Sequence, residues 1–263
     1  MVAQVEGALE RGEDAGQEAA EAVDGSGAVA DQVGAAADLT VSSVVPKPSE
    51  LVAARKAAAR PREAARTSLV VLVDAPAGAD TLDHLGERTR CLVPLLPRPT
   101  VLTDDALPAT VLHALGAHDI VHFACHAVGS SDDPSTGHLV LAGPSETARL
   151  SVADIQRQPA VGELAVLTAC GTGHPYAIAP EESTNLTTAF HRAGFGHVIG
   201  TLWPVTDLAE SQIAEDFYRN MAGPEGGLDL SRAASALRDA LLCKRRAYPM
   251  NPLLWANHVH VGP

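Results

Sequence analysis

From Ser68 onward, short apolar runs alternate with longer segments whose apolar positions recur every three or four residues. SLVVLVD (68–74) is continuous and Val-rich, as a strand covered on both faces requires. DIVHFACH (119–126), ELAVLTAC (163–170) and HVIGTLW (197–203) repeat the signal. GHLVLAG (137–143) and WANHVHVG (255–262) read as further strands, with His258 and His260 as surface residues of an edge. Between these runs the spacing predicts helices over 79–90, 104–116, 181–193, 207–221 and 229–246. A short helix over 150–156 takes Ser151 as its N-cap, and Gly116 and Gly194 end two of the longer ones. Asp207 and Glu210 read as a capping-box-like start to the helix at 207. Strands alternating with helices imply right-handed crossovers and a mostly parallel sheet covered on both faces. In such an α/β chain the ligand site lies beyond the carboxyl ends of the strands.

The chain before Ser68 has a different character. Residues 1–38 carry nine acidic side chains and one basic one, Arg11, with few large apolar residues. Such a segment buries too little surface to offset its ordering entropy, so residues 1–45 read as an acidic tail, with a weak helix over 2–23. Residues 46–67 reverse the sign through Lys47, Arg55, Lys56, Arg60, Arg62 and Arg66 and read as a basic helix or linker. Residues 68–263 form the remaining domain. The net charge of −13 disfavours nucleic acid and anionic membrane surfaces as partners. No apolar run reaches the ~18 residues of a membrane span. The first residues lack a signal-peptide pattern, so the chain is expected in the cytoplasm.

The four cysteines, Cys91, Cys125, Cys170 and Cys243, are too scattered for a disulfide framework and form no zinc-type pair. Two strand ends carry chemistry. One finishes in Cys125-His126-Ala127 and the next in Ala169-Cys170-Gly171-Thr172-Gly173. Paired in parallel, about 4.8 Å apart, they bring an imidazole and a thiol to one rim. The thiolate is then stabilised beside the imidazolium, which can protonate a leaving amine. Glycines after Cys170 allow close backbone approach, and amides there can hold an oxyanion. His122 shares strand parity with His126 and reads as a residue behind the site; Cys125 faces the other way and reads as packing. Because Cys125 and His126 face opposite sides, they do not suit one metal ion, and no metal is expected. No phosphate loop, dinucleotide fingerprint or Gly-x-Ser-x-Gly elbow appears, so no cofactor is called for.

His126 precedes Cys170 by 44 residues. In the caspase signature the histidine stands about 50 residues before the cysteine, and three of its five local positions match around Cys170. The order of DIVHFACHA, HLVLAG, ELAVLTACGTG, NLTTAFHRAGFGHVIGTLWPVTD, SALRDAL and PLLWANHVHVG resembles the CHAT family of caspase-like cysteine peptidases, relatives of separase. The resemblance covers roughly residues 68–263. It implies a caspase-like three-layer α/β/α sandwich, with His126 and Cys170 as the catalytic pair and the amides of Ala127 and Cys170 as the oxyanion hole. TLWPVTD resembles the segment beside the first substrate pocket, which implies that Trp203 and Asp207 bind substrate and that Asp207 favours a basic residue before the cut. Many relatives have glycine where Ala127 stands, and an acidic residue where Gly171 stands. Family members often carry helical repeats before this domain, which implies a regulatory partner of that kind.

Two functions follow. One is a cysteine endopeptidase that cuts a specific protein or peptide and stays latent until a partner or ligand rearranges it. The other is an interaction or signalling module that keeps the fold with little hydrolysis.

Overall fold

The strands expected from the apolar runs form in the computed structural model, which describes residues 36–45, 47–58, 65–129, 136–158, 162–169, 185–223 and 227–263. The expected helix over 2–23 and Cys170 lie outside the described residues. Ala37–Pro263 is one compact unit.

In chain order its elements are α1 (Ala36–Leu39), α2 (Pro48–Ala58), β1 (Ser68–Leu72), α3 (Asp83–Leu92), β2 (Pro99–Leu102), α4 (Pro108–Leu115) and β3 (Ile120–Ala124). Then come β4 (Ala127–Val128), β5 (His138–Val140), β6 (Arg149–Ser151), α5 (Val152–Arg157), β7 (Leu164–Thr168) and α6 (Leu186–Ala193). Last are β8 (His197–Thr201), α7 (Asp207–Asn220), α8 (Ala233–Ala247) and β9 (His258–Val261).

Six strands form one sheet in the order β2-β1-β3-β7-β8-β9, parallel except for β9, which returns antiparallel to β8. Helices α4, α5 and α6 pack on one face with Phe123, Leu167, Phe190 and Phe195 at their centre. Helices α3, α7 and α8 cover the other, around Leu72, Val166, Ile213 and Phe217. The result is the expected three-layer α/β/α sandwich around a mostly parallel sheet.

Local signals explain the boundaries. Ser151 and Asp154 make a full capping box at α5, and Asn185 with Thr188 makes one at α6. Gly194 ends α6 at φ 126°, which favours glycine. At α7 the structure corrects the sequence reading. Thr206 is the N-cap and accepts from the Ala209 amide, while Glu210 turns inward and is buried.

A second correction concerns β9. Thr40–Val44 runs over its outer side, with the Val44 amide donating to the His260 carbonyl at 2.9 Å. His260 is therefore buried, its Nδ1 bonded to Ser43 Oγ at 2.7 Å and its Nε2 to His197 Nδ1 at 2.9 Å. Burial pushes its pKa down to about 3. His258 is half-buried beside the Asn257 amide oxygen, and burial lowers it to about 4. Alternation with polar neighbours looked like an exposed edge because a strap whose Ser43 stands 217 residues before His260 is not visible in the local pattern.

Candidate functional site

The carboxyl ends of β1, β3, β7 and β8 lie on one rim, as a parallel sheet requires. β3 and β7 are hydrogen-bonded neighbours in the same direction, with Ala124 opposite Thr168. His126 follows β3 by two residues. Beyond β7, the Thr201 hydroxyl donates to the Ala169 carbonyl at 2.9 Å and ties the ends of β7 and β8 together.

His126 Nε2 lies 2.7 Å from the Asp80 carbonyl oxygen. A carbonyl only accepts, so Nε2 carries the proton and the Nδ1 lone pair is left for chemistry. Asp80 belongs to the loop between β1 and α3. That loop is fixed by the Leu82 amide on the Asp74 carbonyl at 2.7 Å and by the His84 amide on Asp207 Oδ2 at 3.0 Å. Gly86 packs against Asp74 at the start of this loop: a Cβ there would stand 2.2 Å from Asp74 Oδ2 and force that side chain to shift.

Ala127 begins β4, an edge strand of the small sheet β4-β5-β6. It faces Leu139, and the neighbouring ladder bond runs from the Val140 amide to the His126 carbonyl at 2.9 Å. Ala127 therefore occupies a non-hydrogen-bonded position, and its own N–H points away from β5. Among the described non-glycine residues only Arg98 has positive φ, so Ala127 presents that amide without the backbone angles that would call for glycine.

Asp207 opens α7, and both its oxygens hold amides: Oδ1 that of Leu208 at 2.8 Å, Oδ2 that of His84. The carboxylate bridges the N-termini of α3 and α7, where helix dipoles favour negative charge. Trp203 is half-buried, with its indole N–H on the Leu253 carbonyl at 3.0 Å, and the Leu202 amide donates to Asn257 O at 2.6 Å. The segment after β8 is thus tied to the loop before β9. His122 stands within β3, fully buried, its Nδ1 3.2 Å from the Tyr218 hydroxyl and its pKa lowered by burial to about 4. Cys125 is buried on the opposite face, where burial pushes its thiol pKa up and keeps it protonated.

Sequence reasoning missed one group here. Glu210 keeps 2% exposure, and its Oε1 has no hydrogen-bond partner among the described residues. Burial, then the charge of Asp207, raises its pKa to about 8. The signal was present, since position 210 falls in line with Ile213, Ala214, Phe217 and Met221 at helical spacing.

A family model for the CHAT domain matches residues 29–263. The chain belongs to the CHAT domain family. No curated protein matches it. Separase in its complex with securin from Saccharomyces cerevisiae is similar at 16% identity and a TM-score of 0.50, over 75% of this chain and 12% of that one. Gingipain R, an Arg-specific cysteine proteinase, is similar at 11% identity and a TM-score of 0.49, over 74% of this chain and 46% of that one. The CHAT domain chain thus spans a small part of separase and under half of gingipain R, and the separase likeness is one of fold. Among the described residues no helix is long and apolar enough to cross a membrane.

Proposed function

We propose that this chain is a cysteine endopeptidase acting through His126 and Cys170. The observation that carries the reading is the β3–β7 register. Ala124 faces Thr168, so positions 126 and 170 each lie two residues past the same rung, on neighbouring strands. The Asp80 carbonyl adds support, since it fixes the imidazole with Nδ1 as the base.

In the reaction, Nδ1 takes the Cys170 proton and Sγ attacks the scissile carbonyl carbon. The oxyanion rests on the amides of Ala127 and Cys170, and the outward N–H of Ala127 suits that task. Nδ1–H then protonates the leaving amine as the C–N bond breaks. Water attacks the thioester with His126 again as base, which releases the acid and restores the thiol. Trp203 and Asp207 line the pocket for the residue before the cut, which Asp207 biases toward a basic side chain. The enzyme is a cytoplasmic one whose basal activity a helical-repeat partner raises.

A substrate-like covalent thiol probe tests the reading. Wild type is expected to label, while Cys170→Ala does not and His126→Ala labels at least about 100-fold more slowly. Equal labelling of all three would refute the pair. Absence of labelling in every form, with the fold intact, would favour the non-hydrolytic module.

A further inference from the structure

We propose that Glu210 is the floor of the pocket for the residue before the cut, a second carboxyl one helical turn behind Asp207, and that the two together select a long basic side chain. The inference rests on the peptidase reading above and adds a residue that its motifs do not contain.

Three placements carry it. First, Glu210 faces the sheet, in the stripe shared with Ile213, Phe217 and Met221. Second, helical side chains lean toward the N-terminus, so the carboxyl of Glu210 is directed back over the first turn, toward Asp207 and the rim. Third, the bond between Tyr218 and His122 sets the level of α7 against β3. Glu210 lies eight residues before Tyr218, about 12 Å along the helix, which equals three to four residues of strand at about 3.3 Å each. Counted from His122, that reaches the level of His126.

A buried carboxyl without a partner is costly, and the cost persists only where something else requires the group. Asp207 already spends a lone pair of each oxygen on the amides of Leu208 and His84. It can meet a cation at the mouth but is fixed there. A side chain with a three- or four-carbon stem passes Asp207 and brings its charge to Glu210. Burial, then the nearby charge of Asp207, favours the protonated form of Glu210, so the two carboxyls tolerate this spacing. An arriving cation favours the ionised form, so Glu210 gives up its proton to solvent as the ligand binds.

The test compares wild type with Glu210→Gln and with Glu210→Met, each checked for folding by circular dichroism and thermal unfolding. Peptides differ only in arginine, lysine or norleucine before the cut. The preference for arginine over norleucine in kcat/KM is expected to fall about 10- to 100-fold in both variants, mainly through KM. An unchanged preference in a folded variant would overturn the proposal, as would an equal loss on all peptides. A second measurement does not need turnover. Calorimetric titration of the Cys170→Ala protein with Nα-acetyl-arginine methylamide, in two buffers of different ionisation enthalpy, should show binding with proton release that Glu210→Gln abolishes. Binding without proton release, or no binding, would overturn the role of Glu210. Proton-linked binding with no turnover in wild type would instead leave Glu210 in place and remove the peptidase reading.

Discussion

The two faces of the central sheet are built from the same strands and differ in what they bury. Toward α4, α5 and α6 the strands present Leu69, Val71, Val121, Phe123, Ala165, Leu167 and Val198. Toward α3, α7 and α8 they present Val70, Leu72, Ile120, Ala124 and Val166, but also His122, with His197 and His260 near the β9 edge. Tyr218 and Glu210 join them from α7. Apolar strand positions close by area alone, whereas each buried polar group must be partnered or held neutral, and α6 brings two of these, Thr187 and His191, to the first face as well. The helix that carries those groups, α7, also starts at the rim with Asp207. One face therefore fixes the fold, and the other is shared between the fold and the site.

Acid should separate the two faces most strongly. His122, His197 and His258 are lowered by burial to about 4 and His260 to about 3. The ordinary value in the unfolded chain is about 6.5. Their stabilisation is thus complete above pH about 6.5 and is lost as pH falls toward 4, because the unfolded chain then binds more protons. Each fully linked histidine contributes a slope of about 1.4 kcal/mol per pH unit in that window. Urea unfolding at stepped pH should show stability falling by several kcal/mol between 6.5 and 4.5. A flat profile would mean that these imidazoles are solvated in the folded protein.

The next largest effect belongs to the apolar face. Phe123 is fully buried against Phe190, with ring centroids 5.3 Å apart. Phe123→Ala should cost about 3–5 kcal/mol with no change in the pH slope. If the slope changes as well, the faces are coupled through β3 and the distinction weakens.

This division also governs what the sequence revealed. β1, β3, β7 and β8 were readable because strands buried on both faces need continuous apolar runs. β2 was not, since Pro99–Leu102 is a short edge strand with three exposed residues. β6 was hidden inside the helix start at Ser151. His126 and Cys170 could be proposed because strand ends on one rim follow from parallel pairing. Glu210 was misread as a capping partner, because a buried acid contradicts the usual rule for charged residues and a local capping explanation was at hand. The burial of His260 depended on Ser43 and Val44, far away in sequence.

Gly162 offers a smaller test of the apolar side. It stands just before β7, and a Cβ there would meet the Phe195 ring at 2.0 Å. Phe195 is buried, packed edge-on to Phe190 at 5.7 Å, and has no room to retreat. Gly162→Ala should cost about 1–3 kcal/mol by overpacking. Thermal unfolding checks it, and an unchanged Tm would show that this face repacks more freely than its rings suggest.

The smallest effect tests the polar side by removing its groups together. Tyr218→Phe takes away the bond to His122 Nδ1, whose ring already has Nε2 buried without a partner. The single change leaves an imidazole with neither nitrogen bonded and should cost about 1–3 kcal/mol. His122→Leu leaves the Tyr218 hydroxyl stranded instead, at a similar cost. The double variant strands neither group, so its loss should be less than the sum of the two by about 1 kcal/mol or more, the sign of direct coupling. Additive losses would mean that water already serves both groups, and the polar face would then be wetter than its burial implies. Coupling would show that this face retains the pair for mutual satisfaction rather than for net stability.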